Sequence, residues 1–109
     1  MTSVPEITVH ELKALIDAGK TPFILDVREP KEYEIANLGG NLMPLGEIVN
    51  RMDELRQHKN EHVVVHCRSG GRGAQATRFL LAAGFTNVQN LRGGTLAWSK
   101  EIDPSVPTY

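Results

Sequence analysis

Scarcity narrows this chain first. Its 109 residues contain one cysteine, one tryptophan, two tyrosines and three phenylalanines. A single cysteine excludes an internal disulfide and a dithiol redox cycle, and it fits a reducing cytoplasm. Beside it stand only four scattered histidines, in no metal-ligand spacing, so no metal and no other cofactor is expected. No apolar run approaches the roughly 18 residues of a membrane span. The start, Met1-Thr2-Ser3-Val4-Pro5-Glu6, lacks the basic flank and apolar core of a signal peptide. A net charge of −1 argues against nucleic acid as a partner. One absence is local. Between His62 and Lys100 there is no Asp or Glu, whereas Arg68, Arg72, Arg78, Arg92 and Lys100 all lie there. The rest of the chain holds all 13 acidic residues, so the basic half offers a field for a small anion or an acidic partner.

What is present reads as one domain over residues 1–109, with an ordinary apolar fraction of 40%. Thr8-Val9-His10-Glu11 is a capping box, and Leu12, Leu15 and Ile16 continue at helical spacing until Gly19. Phe23 to Val27 is an apolar run with the look of a buried parallel strand. Asp26 at its end, with Arg28 beyond, suggests a structural ion pair that ties loops together. Pro30 opens a short helix through Glu34, and Asn41 to Met43 forms a short strand. Ile48, Met52 and Leu55 lie on one face of a helix starting at Pro44 or Leu45. A strand covers His62 to His66, a helix Ala74 to Ala83, and a strand Val88 to Leu91. Thr95 caps a last helix bearing Leu96, Trp98 and Ile102; Phe79 and Trp98 are assigned to the core, and Arg78 to the solvent face. Apolar strands alternating with helices predict an α/β fold with a parallel sheet. In such sheets the site lies beyond the carboxyl ends of the strands. There Asp26-Val27-Arg28, Cys67 to Arg72 and Arg92-Gly93-Gly94 should converge, with Arg92 on the rim.

The stretch with the most chemistry is Val63-Val64-Val65-His66-Cys67-Arg68-Ser69-Gly70-Gly71-Arg72-Gly73. A strand that empties through glycines into a helix N-terminus makes a cradle of backbone N–H groups for an anion. The nucleophilic form of cysteine is the thiolate, which such a cradle and nearby arginines favour. His66 adjoins Cys67, so on a strand the two side chains face opposite ways, and no cysteine–histidine protease pairing is readable. Two reactions fit an anion-binding loop with a cysteine: phosphate ester hydrolysis, and transfer of sulfane sulfur through a persulfide. A phosphatase usually places its arginine six positions after the cysteine. Here that position is Gly73, and Arg72 comes five after. The tighter loop favours sulfur transfer.

Over nearly its whole length the chain resembles a single-domain rhodanese, a thiosulfate sulfurtransferase-like protein. The resemblance rests on Asp26-Val27-Arg28 with Glu32-Tyr33, on Cys67-Arg68-Ser69-Gly70-Gly71-Arg72, and on Gly93-Gly94-Thr95-Leu96-Ala97-Trp98. It implies a central five-stranded parallel sheet with flanking helices, and a persulfide on Cys67 as the intermediate. It further implies that the backbone from Arg68 to Arg72 cradles the outer sulfur, that Arg72 closes the loop and that Arg68 meets an anionic donor such as thiosulfate. Asp26 and Arg28 match positions that are mainly structural. Where the family commonly has a His-Ile-Pro-Gly-Ala-type turn, this chain has Asn37-Leu38-Gly39-Gly40-Asn41. The run from Leu91 through Trp98, with Pro107-Thr108-Tyr109, resembles rhodanese domains appended to adenylating enzymes that feed sulfur to carrier proteins. A sulfur-carrier or persulfide-donor protein is therefore the expected macromolecular partner. The competing expectations are a rhodanese-like binding or regulatory module without turnover, and a cysteine-dependent phosphatase or arsenate reductase.

Overall fold

A computed structural model describes residues 4–109; the Met1-Thr2-Ser3 part of the start read above lies outside the described residues. Strands β1 (Glu6–Ile7), β2 (Phe23–Asp26), β3 (Asn41–Leu42), β4 (Val63–His66) and β5 (Val88–Leu91) form one parallel sheet in the order β1-β5-β4-β2-β3. The connecting helices are α1 (Val9–Asp17), α2 (Pro30–Ile35), α3 (Met52–Leu55), α4 (Gly71–Ala82) and α5 (Gly94–Glu101). From β2 the chain steps outward to β3, then returns across it to β4 and β5. The neighbours β2 and β4 therefore flank the point where the winding reverses, and in an open α/β sheet that crevice is the natural binding place.

Both faces of the sheet are covered, which explains why the strands are apolar without alternation. Leu25, Val63, Val65, Cys67 and Val88 pack with Met43, Ile48, Leu55, Ala76, Leu80 and Phe85 on one side. On the other, Ile24, Val64 and Leu91 meet Leu12 of α1 and Trp98 of α5. Cys67 thus continues the parity of Val63 and Val65, one step beyond the strand.

The capping box is formed in full: Thr8 Oγ1 accepts from Glu11 N at 3.1 Å, and Glu11 accepts from Thr8 N at 2.9 Å. Four expectations are corrected. The helix expected from Pro44 or Leu45 to Leu55 is broken into a 3₁₀ turn at Leu45–Glu47, a turn, the single-turn α3 and a second 3₁₀ turn at Arg56–His58. Gly46, the β-branched Ile48 and Val49, and Asn50 are all weak helix formers, and the segment is pinned instead by the burial of Ile48 and Leu55, with Leu45 and Met52 packed beside them. Helix α4 begins at Gly71 rather than Ala74, and the stripe it turns to the sheet is Gly73, Ala76, Thr77 and Leu80. Phe79, assigned to the core, falls off that stripe and is 39% exposed. Thr95 does not cap α5; Gly93 does, in the left-handed conformation at φ 77°, and Thr95 Oγ1 is buried without a partner. The edge strand β1 had no counterpart in the sequence pattern, because two residues carry no periodicity.

Leu80 is fully buried where α4 meets the sheet. Leu80→Ala is expected to lower unfolding free energy by about 2–5 kcal/mol, the usual range for such a core truncation. Urea denaturation at neutral pH checks this.

Candidate active site

The site lies past the carboxyl ends of β2 and β4. At the end of β4, Cys67 is 1% exposed, and its Sγ accepts from Gly70 N at 3.1 Å and Gly73 N at 3.3 Å. Gly70 is the N-cap of α4 and Gly73 lies in its first turn, so the sulfur takes up N–H groups that a helix start leaves unpaired. Such donors stabilise negative charge at the sulfur.

While the Gly70 and Gly73 N–H groups face the sulfur, carbonyls of the loop are held from the other side. Thr95 N donates to Cys67 O at 3.0 Å and Leu96 N to Arg68 O at 3.1 Å, so the first turn of α5 grips the loop from behind. This needs glycine at Gly94, where φ is 57° and a Cβ would be driven into the Cys67 and Arg68 main chain. From β5, Asn90 Nδ2 donates to Gly70 O at 3.0 Å. Asn90 Oδ1 is buried and unpartnered, against the space where a Cβ on Gly73 would sit. Gly73 therefore has no room for a side chain, least of all an arginine.

The turn after β2 supplies the second wall. Asp26 and Arg28 are both completely buried, and the guanidinium meets the carboxylate bidentately: Nε to Oδ1 at 2.9 Å and Nη2 to Oδ2 at 2.6 Å. Arg28 also donates to Ala36 O at 2.7 Å, to Glu32 O at 3.3 Å and to the Tyr109 hydroxyl at 2.7 Å. Burial works against its charge, but Asp26 and Tyr109 outweigh that and hold the guanidinium more firmly protonated than usual. The geometry is that of a structural clamp on α2, as the sequence suggested for this pair.

The two loop arginines are placed differently. Arg72 does not turn toward Cys67; its two Nη groups grip Glu32 at 2.6 and 2.8 Å, bolting the start of α4 to α2. That fork, with a smaller contribution from Glu29 N, pulls the Glu32 carboxyl down to about 2. Arg68 is half-buried, stands over the Tyr109 ring at 5.3 Å, and gives its Nε–H to the Tyr109 main-chain oxygen. Ser69 is exposed on the loop crest, and Gly71 opens α4. Arg92 is paired with Glu6 at 3.2 Å and, with exposed Arg78, borders a cavity of about 320 Å³ that Ser69, Gly70 and Asn90 also line. It is on the rim, but beside the loop crest rather than over the sulfur.

Sequence reasoning missed Asn90, Glu32 and Tyr109 as parts of this site. An asparagine next to the apolar Leu91 in the short strand Val88–Leu91 was the one available signal for the first. In the turn that departs from the family pattern, Tyr33 donates its hydroxyl proton to Gly40 O at 3.1 Å, and Asn37 braces the turn through Tyr33 O and Gly39 N. A Cβ on Gly40 would run into Ile24.

Comparison with known proteins identifies the group. Residues 8–101 match the Rhodanese-like domain family. The chain belongs to that family. Among its relatives, the putative sulfur carrier protein YrkF of Bacillus subtilis is 37% identical over 103 residues, 94% of this chain and 55% of that protein. The probable adenylyltransferase/sulfurtransferase MoeZ of Mycobacterium tuberculosis is 31% identical over 104 residues, 94% of this chain and 26% of that protein. The chain thus spans between a quarter and just over half of these relatives. In structure, the thiosulfate sulfurtransferase of Pseudomonas aeruginosa superposes with a TM-score of 0.78 at 35% identity, over 89% of this chain and 19% of that one.

One buried group in this rhodanese-like domain titrates far from its ordinary range. His66, fully buried, has neither ring nitrogen hydrogen-bonded, and Nε2 lies 3.8 Å from Asp26 Oδ2. Burial pushes the imidazole down to about 4, with Asp26 opposing and Arg28 assisting. At pH 7 it is therefore neutral, and the contact with Asp26 is not an ion pair. An unfolded histidine binds its proton near pH 6.5, so native stability is full above that pH and is lost as pH falls toward 4. The expected loss at pH 5 is about 2 kcal/mol, reaching about 3 kcal/mol once both states are protonated. Denaturant unfolding at pH 7, 6 and 5 tests it: His66→Gln should flatten that dependence, and an equal slope in both proteins would refute the assignment.

Proposed function

We propose that this rhodanese-like domain is a sulfurtransferase that moves sulfane sulfur through a persulfide on Cys67. The observation that carries the reading is the pair of N–H groups, Gly70 and Gly73, directed at Cys67 Sγ inside a loop too tight for a phosphatase arginine. In the first step the Cys67 thiolate attacks the outer sulfur of thiosulfate. The S–S bond of thiosulfate breaks, sulfite leaves with the bonding pair, and Cys67 carries an S–S⁻ group. In the second step a nucleophile, cyanide or a thiolate, attacks that outer sulfur and the Cys67 thiolate departs. Electrons balance without a redox cofactor. Arg68 to Arg72 form the cradle for the outer sulfur, with Arg68 facing the anionic donor. Asp26 and Arg28 hold the wall, and Arg92, paired with Glu6, borders the loop crest.

YrkF is named as a putative sulfur carrier and MoeZ as an adenylyltransferase/sulfurtransferase, which supports a protein persulfide donor or a sulfur-carrier acceptor as the macromolecular partner. No helix among the described residues is long and apolar enough to cross a membrane. A thiolate mechanism on a lone cysteine suits the reducing cytoplasm.

Intact-mass spectrometry tests the reading. Incubation with thiosulfate should add about 32 Da to the protein, removable by dithiothreitol, as a persulfide requires. Cys67→Ser should show no such gain and should drop cyanide-dependent turnover to background. Wild-type protein that stays unmodified would instead identify a binding module without turnover. Release of phosphate from an aryl phosphate, abolished in Cys67→Ser, would turn the assignment to phosphatase chemistry.

A further inference from the structure

One residue contacts Arg28, Glu32 and Arg68 together, yet no step of the proposed reaction uses it. Tyr109 lies between Arg28 and Arg68, whose guanidinium carbons are 5.7 and 5.3 Å from the ring centroid. Its hydroxyl accepts from Arg28 Nη1 at 2.7 Å and donates to Glu32 Oε2 at 2.9 Å, the same carboxylate that holds Arg72. Its main-chain oxygen takes the Nε–H of Arg68. The segment that brings it there is fastened to α5: Asp103 N donates to Trp98 O at 2.9 Å, and Ser99 Oγ to Val106 O at 2.6 Å. Pro104 and Pro107 restrict the same segment further.

The consequence for Arg68 is specific. A free arginine side chain samples many rotamers, and ordering it on a ligand costs affinity. Here Nε is already committed and the guanidinium carbon stands over an aromatic ring, a cation–π arrangement arginine favours. Among the described residues, its two Nη groups have no protein acceptor. They are the pair that can grip two oxygens of a small anion bidentately. Arg72, with both Nη groups on Glu32, has no such pair to offer.

We propose that Tyr109 is a positioning residue that clamps Arg68 as a pre-set fork for a small oxyanion such as thiosulfate. This rests on the sulfur-transfer reading for its substrate, though not for its geometry. Tyr109 touches neither the donor nor the reacting sulfur; it acts through Arg68.

The test uses the full chain and thiosulfate itself. In a Cys67→Ser background, which binds without reacting, adding Tyr109→Ala should weaken thiosulfate affinity about tenfold, the worth of one charge-assisted contact. Tyr109→Phe keeps the ring and the main-chain oxygen and should stay within about threefold. With Cys67 intact, Tyr109→Ala should raise KM for thiosulfate by a similar factor and change kcat less than about twofold. The Arg68 Nε–H signal in a nitrogen–proton correlation spectrum should be sharp in the wild type and broadened in Tyr109→Ala. Unchanged affinity, or a fall in kcat at constant KM, overturns the clamp. The two readings fail separately. A normal gain of about 32 Da with unmoved thiosulfate affinity sinks the clamp alone. Weakened affinity in a protein that never acquires the added mass sinks sulfur transfer alone.

Discussion

The buried pair of Asp26 and Arg28 is the contact from which the rest of the site hangs. Two charges at zero exposure are costly unless every hydrogen-bonding position is used, and Arg28 uses its positions on four different partners. Two of those are the carbonyls of Glu32 and Ala36, which fix α2 at its middle and just past its end. A third is Tyr109. Through Glu32, held between Arg72 and Tyr109, the chain of contacts reaches the start of α4 and so the cysteine loop itself. An apolar pair could fill the same volume, but it could not hold carbonyls and a hydroxyl at defined angles. The pair's use is therefore placement.

A second constraint acts from behind the loop. Peptide groups have two ends, and a loop can present its N–H groups to an anion only if something else takes its carbonyls. The first turn of α5 does this for Cys67 and Arg68, and Asn90 does it for Gly70. That explains why a Gly-Gly pair far along the chain belongs with the cysteine: Gly94 has to pass within contact distance of the loop backbone. The helix dipole of α4 and the carbonyl grip of α5 thus serve one purpose from two sides.

This division also accounts for what was legible in the sequence. The cysteine loop was, because its donors are contiguous: strand, glycines and helix start all lie between Val63 and Gly73. The parallel α/β class followed from apolar strands alternating with helices, and the family resemblance carried the strand number, to which the two-residue β1 contributes. What stayed hidden is what packing assembles from a distance. Asn90 enters through the β4–β5 register, Glu32 through the position of α2, and Tyr109 through the folding back of a proline-bounded segment. Phe79 was misplaced because the buried stripe of α4 is carried largely by the small residues Gly73, Ala76 and Thr77, which a search for large apolar side chains passes over. The apolar spacing of Ile48, Met52 and Leu55 fits one helix from Pro44 or Leu45 to Leu55; weak helix formers between the apolar anchors break it.

The tightness of the loop sets how charge has to be delivered. With Gly73 N bonded to the sulfur and Asn90 against its Cα, nothing larger than hydrogen fits at that position. A cation cannot be mounted inside the cradle, as wrapping a phosphoryl group would demand. The cradle itself therefore offers neutral N–H donors, which is what the proposed persulfide needs for its one additional sulfur atom. Under the proposed reaction, positive charge for an anionic donor then has to come from above the cradle. Of the two loop arginines, Arg72 is already neutralised by Glu32, which leaves Arg68. A long side chain on a rim is ordinarily mobile and mostly solvated. Its use in binding then depends on whether something nearby fixes its Nε end while leaving the other two nitrogens open, and an aromatic ring with an adjacent main-chain oxygen is suited to both tasks.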